Sequence, residues 1–158
     1  MCRQGEEHME IKRLGHVVLR VKNLDIASDF YNGLLNIPIS ARSDEMNMLF
    51  FTLGENHNLA VRAVGDEAST PYSEQTGLDH VALELNGGIE SLRAANATLE
   101  SAGVSVIGID HVVSKSIYFN DPDGNGVELF IDSKADWKDN PDLILSTPNI
   151  VAQRDRHS

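Results

Sequence analysis

A single cysteine, Cys2, stands in the 158 residues. One thiol excludes an intrachain disulfide and any zinc site built on cysteines. No stretch approaches the roughly 18 apolar residues of a membrane span. Residues 1–10 are polar and lack the apolar core of a secretory signal, so a cytoplasmic protein with no membrane association is expected. Basic residues are scarce. Against 24 aspartates and glutamates there are 13 lysines and arginines, a formal net charge of −11. Such a surface repels phosphate backbones, so no nucleic-acid partner is expected.

What the chain does have is an internal repeat. Residues 14–21 carry Leu14, His16, Val17, Leu19 and Val21; residues 78–85 carry Leu78, His80, Val81, Leu83 and Leu85. Both alternate as half-buried strands do, and each histidine shares the face opposite the apolar stripe. A helix is expected after each strand. In the first, Asp25 is the expected N-cap and Ile26, Phe30 and Leu34 form the stripe. In the second, Ile89, Leu92, Ala95 and Leu99 form it and Gly103 ends the helix. Three strands then follow each helix: 37–42, 46–53 and 57–64 in the first copy, 104–109, 116–120 and 126–132 in the second. Turn chemistry separates them, with Asp121 and Asp123 read as turn formers.

The expected architecture is α+β, two tandem βαβββ modules forming a curled sheet around a cavity. Residues 1–10 are expected to be a flexible N-terminus. One domain covers 11–132, with module one at 11–65, a linker at 66–77 and module two at 78–132. Residues 133–158, with Trp137 and two prolines, fit neither copy and are expected to form a C-terminal arm.

His16 and His80 open equivalent strands on equivalent faces. If a pseudo-twofold axis relates the copies, their imidazoles converge near it. Glu128 faces the side opposite Val127, Leu129 and Ile131, and a carboxylate among apolar neighbours needs a partner. Two imidazoles and one carboxylate with open positions suit a divalent metal such as non-haem Fe(II). His16, His80 and Glu128 are therefore the candidate metal ligands.

The run from Ser116 to Phe130, with Tyr118-Phe119-Asn120-Asp121-Pro122-Asp123-Gly124-Asn125-Gly126-Val127-Glu128-Leu129 at its centre, resembles the signature of the vicinal oxygen chelate superfamily. The stretch 14–35, with Asp29-Phe30-Tyr31, is similar to that family's first strand and helix. The resemblance spans about residues 11 to 132. It implies paired βαβββ modules around a metal cavity and the same three ligands. Within the superfamily the chain most resembles type I extradiol ring-cleaving dioxygenases. That resemblance implies that His57 is the catalytic acid or base and that Tyr118 and His111 hydrogen-bond a catechol-like diol cleaved with O2. Fe(II) is the implied cofactor, with Mn(II), Zn or Ni as other candidates, and the implied assembly is a homodimer or higher homo-oligomer. Three alternatives stay open: a glyoxalase-type lyase or isomerase with His57 as fourth ligand, a fosfomycin-type thiol transferase on the same metal, and a metal-free drug-binding resistance protein.

Overall fold

The computed structural model describes residues 9–54, 57–111 and 113–132, together with the backbone of 149–151. The first eight residues of the expected N-terminal segment, Glu55, Asn56 and nearly all of the expected C-terminal arm lie outside the described residues.

The first module runs β1 (Val17–Val21), a helix starting as α1 (Leu24–Ser28) and continuing as a π-helical stretch (Asp29–Leu34), then β2 (Ile39–Ser43), β3 (Met48–Phe51) and β4 (Leu59–Ala63). The second runs β5 (His80–Glu84), α2 (Ile89–Ser101), β6 (Ile107–Asp110), β7 (Ser114–Asn120) and β8 (Gly126–Asp132). The sheets are ordered β1-β4-β3-β2 and β5-β8-β7-β6, the same order twice, so the repeated βαβββ module is a structural fact. In each sheet the first strand runs parallel to the last of its own module. A ninth strand, β9 (Asn149–Val151), pairs antiparallel with β6 and covers that sheet edge.

The first helix departs from the sequence expectation twice. Its cap is Asn23, whose Oδ1 accepts from the N–H groups of Asp25 at 2.8 Å and Ile26 at 3.2 Å. Asp25 is the second helical residue, where its charge favours the helix N-terminus. The buried stripe is Leu24, Ala27, Phe30 and Tyr31, while Ile26 is 49% exposed. A π-type bond from the Leu35 N–H to the Phe30 carbonyl widens the turn and rotates Tyr31 inward. Gly103, at φ +79°, ends α2 as expected. The two opening strands are also shorter than the alternation suggests: Leu14 and Leu78 are exposed and precede them.

One core serves both modules. Leu19, Val21, Phe51 and Val61 face it from the first sheet; Ile117, Phe119, Val127 and Leu129 face it from the second. The first helix lies between the sheets. Phe30 and Tyr31 meet edge to face at 5.2 Å, Tyr31 contacts Phe51 at 5.5 Å, and Phe30 reaches Phe119 of β7 at 6.2 Å between ring centroids. Three hydrogen bonds of 2.9 Å tie the modules at the β7–β8 turn: Lys22 N–H to Asp123 Oδ2, Asn125 Nδ2 to the Arg20 carbonyl, and Tyr31 hydroxyl to Asp121 Oδ2. A cavity of about 500 Å³ remains between the modules, lined by apolar groups including Leu34, Leu53, Leu83 and Leu99. None of the candidate site residues lines it.

Candidate metal centre

Strand alternation turns one face of each sheet into the shared core and leaves the histidine on the other. In the second sheet the registers His80↔Gly126, Ala82↔Glu128 and Tyr118↔Glu128 bring three candidate residues together. The approach of β5 to β8 is very close. A Cβ on Gly126 would meet the Asp79 carbonyl oxygen at 2.3 Å, so only glycine fits without a shift. That closeness lets His80 Nε2 reach Glu128 Oε2 at 3.0 Å.

Asp79, absent from the sequence reading, completes the arrangement. Its Oδ2 lies 2.6 Å from His80 Nδ1. Alternation would send neighbouring side chains to opposite faces, which is why it was not foreseen. Asp79 precedes the first residue of β5, however, and its exposed carboxylate folds back onto the ring. Tyr118 stands perpendicular to His80 at 5.4 Å between ring centroids. Its hydroxyl lies 2.9 Å from His111 Nε2. Burial first, then the hydrogen bond to Glu128 and that carboxylate's charge, push the Tyr118 phenol up to about 12. His111, Tyr118, Glu128, His80 and Asp79 thus form one continuous polar chain.

The first sheet carries the other half. His16 precedes β1, and its ring lies 4.8 Å from that of His57. Phe50 of β3 holds His57 edge to face at 5.7 Å. The register Val18↔Ala60 corresponds to Ala82↔Glu128, so Ala60 occupies the place in module one that Glu128 occupies in module two. The alanine is fully buried and offers no donor at that position.

The residues fit a divalent cation in part. Both nitrogens of His80 face carboxylate oxygens. A cation in place of the Nε2 proton would leave a neutral imidazole ligand whose Nδ1–H is held by Asp79, beside an anionic oxygen of Glu128. Among the described residues no group of three or more His, Cys, Asp or Glu side chains is gathered for a metal. The structure brings together His80 with Glu128, and His16 with His57, on separate sheets.

A family model described as the Glyoxalase/Bleomycin resistance protein/Dioxygenase superfamily matches residues 13–129. The chain belongs to this superfamily. Among its relatives, catechol-2,3-dioxygenase of Bacillus subtilis (strain 168) is 28% identical over 130 residues, covering 82% of this chain and 45% of that protein. Biphenyl-2,3-diol 1,2-dioxygenase 2 of Rhodococcus globerulus is 28% identical over 123 residues, covering 77% of this chain and 63% of that protein. The chain therefore spans about half to two thirds of the length of these relatives. The crystal structure of the fosfomycin resistance protein FosX from Mesorhizobium loti shares the superfamily fold, with a TM-score of 0.58 and 18% identity over 78% of this chain and 95% of that one. No helix among the described residues is long and apolar enough to cross a membrane.

Proposed function

We propose that this superfamily member is an extradiol-type dioxygenase that cleaves a catechol-like aromatic diol with O2, with Fe(II) held by His16, His80 and Glu128. The observation that carries the reading is the polar chain from His111 through Tyr118 to Glu128 and His80, which sets the Tyr118 hydroxyl beside that histidine and carboxylate. Both dioxygenase relatives support it.

A divalent cation at this site would act as a Lewis acid toward the two adjacent oxygens of a diol. The chain's own residues supply the rest. Tyr118 keeps its proton throughout the physiological range, so its hydroxyl can donate to a substrate oxygen while His111 Nε2 fixes its direction. His57, held between His16 and the edge-on ring of Phe50, takes or returns a proton at an imidazole nitrogen. Ala60, standing where a fourth protein ligand would come from the first module, leaves room for a substrate that chelates through two oxygens. That favours ring cleavage over a glyoxalase-type isomerase with a fuller protein ligand set. The polar chain also favours an enzyme over a metal-free drug-binding protein.

Oxygen uptake with catechol and substituted catechols, after anaerobic loading with Fe(II), tests the assignment. Ring cleavage beside the hydroxyls gives a yellow product that tracks oxygen consumption. Turnover of methylglyoxal with glutathione, or addition of a thiol to fosfomycin, without any oxygen uptake would displace it. His57→Phe is expected to retain the metal and lose about 10²-fold or more in turnover. Loss of metal in that variant would instead make His57 a fourth ligand.

A further inference from the structure

We propose that Arg20 and Arg62 form an anion subsite on the face that carries His16, so that the aromatic diol taken by this protein bears a carboxylate on a short arm. The inference rests on the dioxygenase reading and narrows its substrate class.

Strand alternation orders that face of the first sheet into three rows. Leu19, Phe51 and Val61 are buried in the core, so the residues that alternate with them, Val18, Arg20, Phe50, Ala60 and Arg62, take the opposite face. The first row is His16 and His57, whose rings lie 4.8 Å apart. The register pairs Val18↔Ala60 and Phe50↔Ala60 make an apolar second row. Phe50 ties it to the first through its edge-to-face contact with His57. The pairs Arg20↔Arg62 and Met48↔Arg62 make the third row. Four residues of extended chain, about 13 Å, separate His16 from Arg20. Imidazoles, an apolar floor and a cationic end thus follow one another along the strands. An aryl diol with an acidic arm presents its hydroxyls, its ring and its carboxylate in the same order.

Charge supports the same assignment. The chain holds 24 acidic residues against 13 lysines and arginines, so an arginine has many carboxylates available to it. Arg42 is paired with Asp25 and Asp44, and Arg93 with Glu90. Arg20 and Arg62 are both exposed, and their side chains have no ion-pair partner among the described residues. Like charges side by side in register repel. A carboxylate between the two guanidinium groups removes that repulsion and accepts paired hydrogen bonds. The internal repeat shows that the scaffold does not require the pair. The register Glu84↔Phe130 stands in module two where Arg20↔Arg62 stands in module one.

Oxygen uptake with 3-(2,3-dihydroxyphenyl)propanoate and with its methyl ester tests the subsite. The ester keeps the diol and the ring and loses the charge. The wild type should favour the acid in kcat/KM, and added NaCl should shrink that preference. Arg20→Gln and Arg62→Gln should each lower kcat/KM for the acid by about 5- to 10-fold and leave the ester unchanged. The ester rate also reports that each variant is folded. Equal use of acid and ester by the wild type, or a preference that survives both substitutions, would overturn the subsite and leave the dioxygenase reading standing. If neither diol is turned over, calorimetric titration with 3-phenylpropanoate, which has no diol, separates the two ideas. Binding that weakens in both variants upholds the anion subsite while the dioxygenase reading falls. No binding, or binding that the variants share with the wild type, removes the subsite as well.

Discussion

At the scale of the residue, His80 is the best-prepared group in the molecule. An imidazole has two nitrogens, and here each already faces a carboxylate, Asp79 on one side and Glu128 on the other. With a cation bound at Nε2 beside Glu128, the Asp79 carboxylate would hold the remaining ring proton on Nδ1. Removing it with Asp79→Ala should weaken Mn(II) binding by about 10- to 100-fold, and Asp79→Asn should recover part of the loss because the amide oxygen still accepts from Nδ1. Competition with a chromophoric chelator reads both values; unchanged affinity in the alanine variant would show that the contact does nothing for the site. Tyr118 differs in kind. Its phenol, raised to about 12 by burial and by Glu128, stays neutral at any working pH. Tyr118→Phe should therefore hold metal as the wild type does and lose turnover about 10²-fold. A comparable loss of metal would make the tyrosine part of the ligand scaffold instead.

Elements decide whether these residues meet. The strand β8 lies so close to the start of β5 that a methyl group at Gly126 would strike the Asp79 carbonyl. Gly126→Ala should force the strands apart, cost about 1–3 kcal/mol of stability, and lower metal affinity by lengthening the His80–Glu128 contact; urea unfolding and Mn(II) titration measure the two effects. A variant as stable as wild type with unaltered affinity would mean the strands can yield there freely. The sequence made much of this legible. The repeat, the strand faces and the pairing of His80 with Glu128 follow from period-two alternation read twice, and Gly103 from its place after a helical stripe. Other features were hidden, each for a physical reason. A π turn changes the residue count per turn, so a stripe drawn at helical spacing put Ile26 inside and missed Tyr31. Asn23 caps the helix two residues before the aspartate that composition favoured. The equivalence of Ala60 and Glu128 becomes visible only when strand register is known. Alternation also says which face a histidine takes, but not which side chain it meets there, so the contact of His16 with His57 could not be read from it.

Across the whole molecule, one of the bonds that join the modules ends on a buried carboxylate. Asp121, 5% exposed, accepts from the Tyr31 hydroxyl, from the N–H groups of Asp123 and Asn125, and from Asn125 Nδ2. Three of those donors belong to its own turn, and only Tyr31 comes from the other module. Tyr31→Phe should keep the turn and loosen the junction, at a cost of about 1–2 kcal/mol. The same contact makes stability depend on alkaline pH. Burial, followed by the charge of Asp121, raises the Tyr31 phenol well above its ordinary value. In the unfolded chain the phenol releases its proton near pH 10. Above that pH the folded state still holds a proton that the unfolded state has lost, so stability is intact below about pH 10 and falls as pH rises further. Tyr118, raised in the same direction, adds to the fall up to about 12. Urea unfolding at pH 8 and pH 10.5 should therefore show the wild type well ahead of Tyr31→Phe at the lower pH and the gap narrowing at the higher one. If the gap is the same at both, the phenol ionises alike in the folded and unfolded chains, and the Tyr31–Asp121 bond is not what joins the modules.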